Sequence, residues 1–373
     1  MQKNKHIRVA HVIGNISEGG IEVMMTNLYR NIDHSKVEFH FIVPNTSVVL
    51  NEKEIERYGG KVIIVPSVKK VFKYNKELRK CFNVNQYDIV HASMNALSFI
   101  PLKVAKKCGV PVRISHSHST SHKKEHLRHL IKNCLRPFSK KYATHYFACS
   151  EKAGRWLFGN KVVNSKEVFY INNGINLENF SFNLERRKNI RKQLGIADDI
   201  FLIGHVGRFV SQKNHPYLLK IFGEIAEKDK RVGLLMVGTG ANLDQAKKYV
   251  EDNQLNNVYL IGAVSNPYDY YQAMDCFVLP SLYEGLPVVG VEAQANGLKC
   301  FFSNEITQEA KLINDTEYLD IKEEPKVWGE KIESYSKLRT SLRVPVSGLE
   351  KYDIKNISSY MLDLYIKFIN ESK

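Results

Sequence analysis

Two carboxylates and two cations in the second half of the chain have the residue types and spacing to hold an anionic ligand. Glu284 and Glu292 bracket the segment EGLPVVGVE, and Arg208 and Lys213 stand in GRFVSQK after an apolar run. A guanidinium fork and a compact ammonium both suit a diphosphate, and a carboxylate accepts hydrogen bonds from hydroxyl groups. Each side chain alone is more typical of a solvated surface. The shared pattern is what indicates a site.

The elements around the two carboxylates predict a strand, a tight loop and a helix. Cys276 to Leu279 is a short apolar run, as in a buried parallel strand. Gly285 and Pro287 then open a helix, whose free N–H groups and partial positive charge suit a phosphate. Glu292 follows Glu284 by eight residues, so we expect Glu292 about two turns along this helix.

The segment LPSLYEGLPVVGVEA resembles the E-x7-E signature of the retaining GT-B glycosyltransferases of glycosyltransferase family 4. The resemblance implies that Glu284 lies at the donor sugar, that Glu292 binds the nucleotide ribose and that the intervening amides hold the diphosphate. It also gives Arg208 and Lys213 the roles of binding the pyrophosphate and supporting the leaving group. The donor-binding residues that it implies are Gly19, Gly20, Arg208, Lys213, Gly238, Gly262, Val264, Glu284, Gly285, Leu286, Pro287 and Glu292.

The reaction implied by this resemblance is metal-independent transfer of a sugar from a nucleotide sugar, expected to be a UDP-sugar, to a lipid-linked saccharide in polysaccharide biosynthesis, as for capsule or exopolysaccharide. No metal or other cofactor is expected. The sequence contains no D-x-D motif, which agrees with that expectation. Two rivals stay open: another GT-B reaction on a nucleotide sugar, such as epimerisation, and a non-catalytic partner in polysaccharide assembly.

A histidine-rich segment, SHSHSTSHKKEHLRHLIK, follows the predicted strand at Arg113 to Ser115. It includes the H-x-x-E-H pattern of some zinc peptidases, but the interleaved lysines and arginine would repel a dication, so we predict no metal site. Most of these histidines are expected on a solvated basic helix. The resembled family often places a functional histidine just after this strand, and either His116 or His118 fits that position.

Alternating strands and helices predict a doubly wound α/β architecture. Its first strand is Ile7 to Ile13, and the following GNISEGGIE does not match a dinucleotide-binding G-x-G-x-x-G. A later strand and loop are expected at Tyr259 to Val264. By resemblance, the fold is GT-B: two Rossmann-like domains facing a cleft, residues 1–175 for the acceptor and 176–353 for the donor, with a final helix in 354–373 packing back on the first domain.

The net charge of +15 is concentrated in the first half of the chain. Residues 1–180 contain 29 Lys and Arg against 13 Asp and Glu, whereas the remainder is nearly neutral. A basic half suits nucleic acid, an anionic membrane or an anionic substrate, and no nucleic-acid motif is present. Residues 123–141 predict a basic amphipathic helix, which we expect at the inner face of the plasma membrane.

The chain is expected to be a cytoplasmic enzyme with peripheral membrane attachment. It lacks a run of 18 apolar residues, and its N-terminal apolar segment reads as a strand and not as a signal peptide. The six cysteines show no C-x-x-C spacing, so neither disulfides nor zinc-cysteine sites are expected.

Overall fold

A computed structural model describes residues 6–14, 20–45, 52–118, 134–338, 343 and 346–372. The chain divides into two compact units, one of Met1–Ile175 with Lys351–Lys373 and one of Asn176–Glu350. Each unit is an α/β structure built on a parallel sheet. No helix in the described part of the chain is long and apolar enough to cross a membrane.

The first unit contains a seven-stranded parallel sheet in the order β3-β2-β1-β4-β5-β6-β7. Its strands are β1 (Ile7–Ile13), β2 (Val37–Pro44), β3 (Lys61–Val65), β4 (Ile89–Ser93), β5 (Val112–Ser117), β6 (His145–Ala148) and β7 (Val168–Tyr170). Its α-helices are Gly20–Asn31, Glu52–Arg57, Val71–Asn85, Phe99–Lys107, Glu151–Phe158, Asn160–Asn164 and Ile354–Glu371, with 3₁₀ turns at Asn95–Ser98 and Arg136–Lys140. The strand order reverses between β1 and β4, which is where doubly wound sheets form a ligand crevice.

The helix Ile354–Glu371 packs into the core of this first unit. Met361, Tyr365 and Phe368 are buried among the residues of the central strands. The chain enters the helix beside Gly174, where a Cβ would lie 2.8 Å from a methyl carbon of Ile357. Glycine at position 174 therefore lets the helix Ile354–Glu371 pack closely against the chain just before Ile175.

The second unit contains a six-stranded parallel sheet in the order β10-β9-β8-β11-β12-β13. Its strands are β8 (Phe201–Val206), β9 (Val232–Val237), β10 (Val258–Gly262), β11 (Cys276–Leu279), β12 (Lys299–Ser303) and β13 (Thr316–Leu319). Its α-helices are Leu177–Phe180, Leu184–Gln193, His215–Ala226, Leu243–Asp252, Pro267–Ala273, Val288–Ala295 and Pro325–Leu338, with 3₁₀ turns at Ser211–Lys213 and Gln308–Ala310. Here the strand order reverses between β8 and β11.

Asp275 fixes the helix Leu184–Gln193 to the start of β11. Its carboxylate accepts hydrogen bonds from Arg187 at 2.6 Å, from Arg191 at 3.4 Å and from the backbone N–H of Leu202 at 2.7 Å. Arg191 is 1% exposed and also donates to backbone carbonyls. Removing one member of such a buried group leaves uncompensated charge, which typically costs about 3–5 kcal/mol.

The doubly wound α/β class predicted from the sequence is confirmed. In the segment Tyr259 to Val264, predicted as a strand and loop, the strand ends at Gly262, whose φ of +83° turns the backbone into the loop. The edge strands β7 and β13 were not predicted. Val168–Tyr170 has 3 residues and Thr316–Leu319 has 4, and each pairs on one side only.

Candidate active site

Lys213 and Glu284 meet at the reversal point of the second sheet. The loop after β8 carries Lys213 and the loop after β11 carries Glu284, and the two strands are neighbours. Lys213 Nζ lies 2.6 Å from Glu284 Oε1, and the two side chains are only 13% and 11% exposed. The C-terminal ends of parallel strands on either side of a reversal form the usual ligand crevice of such sheets. The structure thus brings together two of the residues predicted for the site.

Backbone hydrogen bonds hold these two loops together. The N–H of Leu282 donates to the carbonyl of Gln212 at 2.8 Å, and the Gln212 side chain donates to the carbonyl of Tyr283 at 2.9 Å. The Ser281 hydroxyl donates to Glu284 Oε1 at 3.2 Å. The ion pair is therefore supported by neighbours that fix both of its ends, and little conformational freedom remains to be lost on ligand binding.

Glycines keep the backbone close-packed beside the ion pair. A Cβ on Gly238 would lie 2.0 Å from the carbonyl oxygen of Gly207, and Gly238 has a φ of +138°. A Cβ on Gly207 would meet the aliphatic stem of Lys213 at 3.3 Å. Only glycine fits at Gly238, so the ends of β8 and β9 can approach and the lysine can lie across them.

Glu292 lies on the helix Val288–Ala295, and Tyr271 donates a hydrogen bond to its Oε2 at 2.7 Å. Burial raises the pKa of Glu292 to about 7, opposed by this hydrogen bond and by the charge of Lys213. The helix begins after Pro287 and Glu284 precedes it, as predicted. Glu292 lies about one turn into the helix and not about two turns along it, which corrects the expected depth.

The other predicted donor residues lie around the same edge of the second sheet. Arg208 is exposed and follows β8, while Gly262 ends β10 and its carbonyl accepts a hydrogen bond from Gly238 at 2.8 Å. Val264 is half-buried in the next loop. Gly285, Leu286 and Pro287 lead into the helix Val288–Ala295, and a Cβ on Gly285 would have no neighbour within 4 Å.

In the first unit, both candidate histidines are buried, which corrects the expectation that only one of them would leave the solvated segment. His116 is the penultimate residue of β5 and His118 follows the strand; their rings are 3.8 Å apart between centroids. Burial lowers the pKa of His118 to about 3, so it is a neutral imidazole. Within the described residues, neither ring nitrogen of His118 has a hydrogen-bond partner. His116 keeps one unpartnered ring nitrogen, Nε2, among the same residues.

A network behind these rings fixes His116. Its Nδ1 lies 2.9 Å from His91 Nε2, and His91 Nδ1 lies 2.7 Å from the hydroxyl of Tyr365. That hydroxyl also lies 3.3 Å from His11 Nε2. Three strands and the last helix thus contribute to one buried network. Among the described residues, no group of His, Cys, Asp or Glu has the arrangement of a metal site.

Some of the predicted features lie outside the described residues. They are Gly19 and residues 119–133, which include the H-x-x-E-H pattern and most of the proposed basic helix. Gly20 is the first residue of the helix Gly20–Asn31. Of the basic segment 123–141, residues 134 and 135 are α-helical and the 3₁₀ turn Arg136–Lys140 follows them.

Comparison with known proteins identifies the family. The family model described as Glycosyltransferase Family 4 matches residues 18–179, and the one described as Glycosyl transferases group 1 matches residues 186–345. EpsF of Bacillus subtilis (strain 168), assigned to the glycosyltransferases, is 36% identical over 87% of this chain and 86% of its own length. The chain belongs to glycosyltransferase family 4.

Two other relatives of this glycosyltransferase have more specific names. The capsular polysaccharide biosynthesis glycosyltransferase CapH of Staphylococcus aureus is 25% identical over 96% of this chain and 99% of its own. The UDP-Gal:alpha-D-GlcNAc-diphosphoundecaprenol alpha-1,3-galactosyltransferase of Escherichia coli is 28% identical over 65% of this chain and 63% of its own.

Solved structures show the same fold. Anabaena HepE in complex with UDP superposes with a TM-score of 0.73 at 14% identity, over 98% of both chains. At this identity the likeness concerns the fold alone. It confirms the GT-B fold predicted for this glycosyltransferase.

Sequence reasoning did not single out three residues that pack around the candidate site. Tyr271 was not singled out, although it holds Glu292. His205 and His215 lie beneath the loop that carries Lys213; His205 Nδ1 contacts the carbonyl of Val278 at 2.8 Å, and the ring of His215 stacks on Phe209 at 4.1 Å. Burial lowers the pKa of His205 to about 4 and that of His215 to about 2, so neither adds charge to the site. No sequence pattern distinguishes them from surface histidines.

Proposed function

We propose that this enzyme is a retaining, metal-independent glycosyltransferase that moves a sugar from a UDP-sugar to a lipid-linked saccharide in polysaccharide biosynthesis. The observation that carries the proposal is the Lys213–Glu284 pair at the reversal point of the second sheet. A cation and a carboxylate held there can address two parts of one ligand, its diphosphate and its sugar. The nucleotide sugar accordingly binds the second unit, and the acceptor binds the first.

Positive charge at the leaving group is the main catalytic contribution that we assign to these residues. As the glycosidic bond to the diphosphate breaks, negative charge grows on the departing oxygen, and a fixed cation stabilises that charge. Lys213 is held in place by Glu284 before the ligand arrives. Arg208 adds a second, more exposed cation from the same loop. Together they supply electrostatic stabilisation, and the amides of Gly285 and Leu286 complete the diphosphate site.

Glu292 is proposed to accept hydrogen bonds from the ribose hydroxyls of the nucleotide. Tyr271 occupies one of its oxygens at 2.7 Å and orients the carboxylate. An ionised carboxylate is a stronger acceptor than a neutral acid. Because the pKa of Glu292 is about 7, binding of the ribose draws the group toward its ionised form at neutral pH.

The acceptor and donor classes are supported by the relatives. The E. coli relative is named for UDP-Gal and for a sugar linked to diphosphoundecaprenol, and CapH is named for capsular polysaccharide. The basic first half of the chain suits both a lipid diphosphate and the anionic inner face of the plasma membrane. We therefore propose peripheral attachment there. His118, with both ring nitrogens buried and unpartnered among the described residues, is assigned to the acceptor or the donor sugar.

A panel of UDP-, GDP- and ADP-sugars tests the donor assignment. A UDP-sugar should raise the melting temperature of the protein, since a ligand that binds only the folded state stabilises it. The stabilising sugar is then assayed for transfer to a synthetic lipid-linked saccharide, with and without EDTA. Transfer that survives EDTA and is lost in Glu284→Gln supports the proposal. Conversion of the nucleotide sugar without any acceptor would instead indicate an epimerase.

A further inference from the structure

The helix Val71–Asn85 presents a basic face to solvent. It buries Tyr74, Leu78, Cys81 and Phe82 on its other side, against the core of the first unit. Residues 69–80 contain one acid, Glu77, and six cations: Lys69, Lys70, Lys73, Lys76, Arg79 and Lys80. All six cations are exposed, and none forms an ion pair with another described residue.

Phe72 projects from the start of this helix and is 93% exposed, and Val71 beside it is 42% exposed. Helical spacing places Phe72, Lys76 and Arg79 on one face. A single exposed apolar side chain is ordinary on a protein surface. A nearly bare phenylalanine surrounded by unpaired lysines is a different arrangement, since it combines an insertable ring with long-range attraction for anions.

Three of these cations, Lys69, Lys70 and Lys73, lie at the N-terminal end of the helix, where positive charge reduces helix stability. A helix N-terminus carries partial positive charge and is stabilised by acids, but this first turn has none. The N-cap residue is Lys70, which makes no capping hydrogen bond through its side chain. Lys69, Lys70 and Lys73 therefore repel the helix dipole in the free protein. An anionic surface at this end would interact favourably with the dipole and with all three lysines.

The location of this end connects it with the acceptor side of the enzyme. The helix follows β3, so its N-terminus lies at the edge of the first sheet formed by the C-terminal ends of the strands. Gly14 after β1 and His118 after β5 lie along the same edge, where parallel sheets bind ligands. A membrane that touched Phe72 would thus present its lipid headgroups to that edge.

We propose that residues 69–80 form a membrane-contacting surface, with the ring of Phe72 inserted among anionic lipid headgroups and the six cations held above them. This inference rests on the lipid-linked acceptor of the proposed function. It assigns the contact to a different helix from the segment 123–141 that the charge pattern first indicated. A lipid surface is the expected partner because residues 69–80 combine positive charge with an aromatic ring that can insert among headgroups.

Co-sedimentation of the full chain with vesicles tests the proposal. We expect binding to vesicles of equal parts phosphatidylglycerol and phosphatidylcholine, little binding to phosphatidylcholine alone, and weaker binding as salt is added. Phe72→Ser and the double variant Lys76→Gln, Lys80→Gln should each weaken binding about tenfold or more. Val84→Ser is the apolar control, since Val84 is 73% exposed at the far end of the same helix. Lys247→Gln, Lys248→Gln is the charge control.

Lys70→Asp separates a membrane role from a structural one. Aspartate at the N-cap should raise the melting temperature by capping the helix, while binding to anionic vesicles falls. Equal binding to both lipid compositions, unchanged binding by Phe72→Ser, or the same loss in both controls would overturn the proposal. So would binding to nonspecific DNA that is tighter than binding to the vesicles, or dimerisation that Phe72→Ser abolishes. Stabilisation by UDP is measured on each variant, so that failure of nucleotide binding is recognised separately.

Discussion

Lys213 and Glu284 form a 2.6 Å ion pair although 70 residues of chain lie between them. The pair joins loops from two neighbouring strands at the reversal point of the second sheet. Its low exposure limits screening by solvent, which weakens most surface pairs. The same shielding keeps the ammonium positioned for an anionic ligand, because the stem of Lys213 lies against Gly207 and cannot swing freely.

Lys213→Ala is expected to weaken UDP binding by about tenfold to a hundredfold, since it removes a charge-assisted contact worth roughly 1.5–3 kcal/mol. Isothermal titration calorimetry with UDP measures the change. Lys220→Ala is the matched control, because Lys220 is an exposed lysine on the helix His215–Ala226 that follows. Wild-type affinity for UDP in Lys213→Ala would show that the diphosphate does not bind at this loop.

Glu292→Gln should stabilise the protein while it weakens nucleotide binding. The folded-state pKa of Glu292, about 7, exceeds its ordinary value of 4.5, so its stabilising contribution is complete below about pH 4.5 and is lost as pH rises through 7. At pH 8 the folded protein contains a half-buried carboxylate, and its replacement by an amide should gain roughly 1–3 kcal/mol. The gain should shrink toward pH 5.

Urea unfolding of Glu292→Gln at pH 8 and pH 5, beside UDP titrations, measures both effects. Tyr271→Phe is the companion variant, since it removes the hydrogen bond to Glu292 but keeps the ring. It should raise the pKa of Glu292 further and weaken UDP binding less than Glu292→Gln. A loss of stability in Glu292→Gln at pH 8 would mean that the carboxylate is structural.

Acid is expected to destabilise the protein through its buried histidines. Burial lowers the pKa of His11 and His118 to about 3 and that of His205 to about 4, from 6.5. Because their folded pKa values are depressed, the stability that they contribute is complete above about pH 6.5 and is lost as pH falls toward 3. Each contributes a slope of about 1.4 kcal/mol per pH unit within that range. The raised pKa of Glu292 gives a pH dependence of stability with the opposite sign, but this one carboxylate is outnumbered by the histidines.

Free energies of unfolding between pH 7.5 and 5 measure that slope. His118→Asn should reduce that slope. His116 lies against His118, and the charges of His11 and His91 also lower the pKa of His116. We therefore expect a residual slope in His118→Asn. A protein equally stable at pH 7.5 and 5 would show that these imidazoles are protonated without cost.

The sequence predicted most of the sheet architecture because central strands are largely apolar. Ile7–Ile13 and Cys276–Leu279 have the predicted bounds, and each has neighbours on both sides. The edge strands Val168–Tyr170 and Thr316–Leu319 could not be found in this way. With 3 and 4 residues, these strands are too short to show a periodic pattern or a distinct apolar run.

The candidate site was predictable where it follows local motifs and unpredictable where it depends on strand order. Glu284 and Lys213 could be chosen from their own loops. Tyr271 lies in YDYYQAM, and only the packed fold shows which of its tyrosines meets Glu292. The His91–His116 contact likewise requires β4 and β5 to be neighbours, which spacing along the chain does not reveal.

Two glycines at the same edge of the second sheet should respond differently to alanine. At Gly238 a Cβ would lie 2.0 Å from the carbonyl oxygen of Gly207, so the backbones of β8 and β9 must separate. At Gly285 the same Cβ meets nothing within 4 Å, and its φ does not favour glycine. Gly238→Ala should therefore lower the melting temperature strongly, by several degrees or more.

Gly285→Ala should fold with near-wild-type stability and still bind UDP less tightly, because the added methyl lies where the diphosphate would approach the backbone amide. Differential scanning fluorimetry with and without UDP measures both variants together. Reduced stability in Gly285→Ala would show that the loop is more closely packed than its open surroundings indicate. Undiminished stabilisation by UDP in that variant would place the diphosphate away from the Gly285 amide, and the donor site would then have to rest on Lys213 and Arg208 alone.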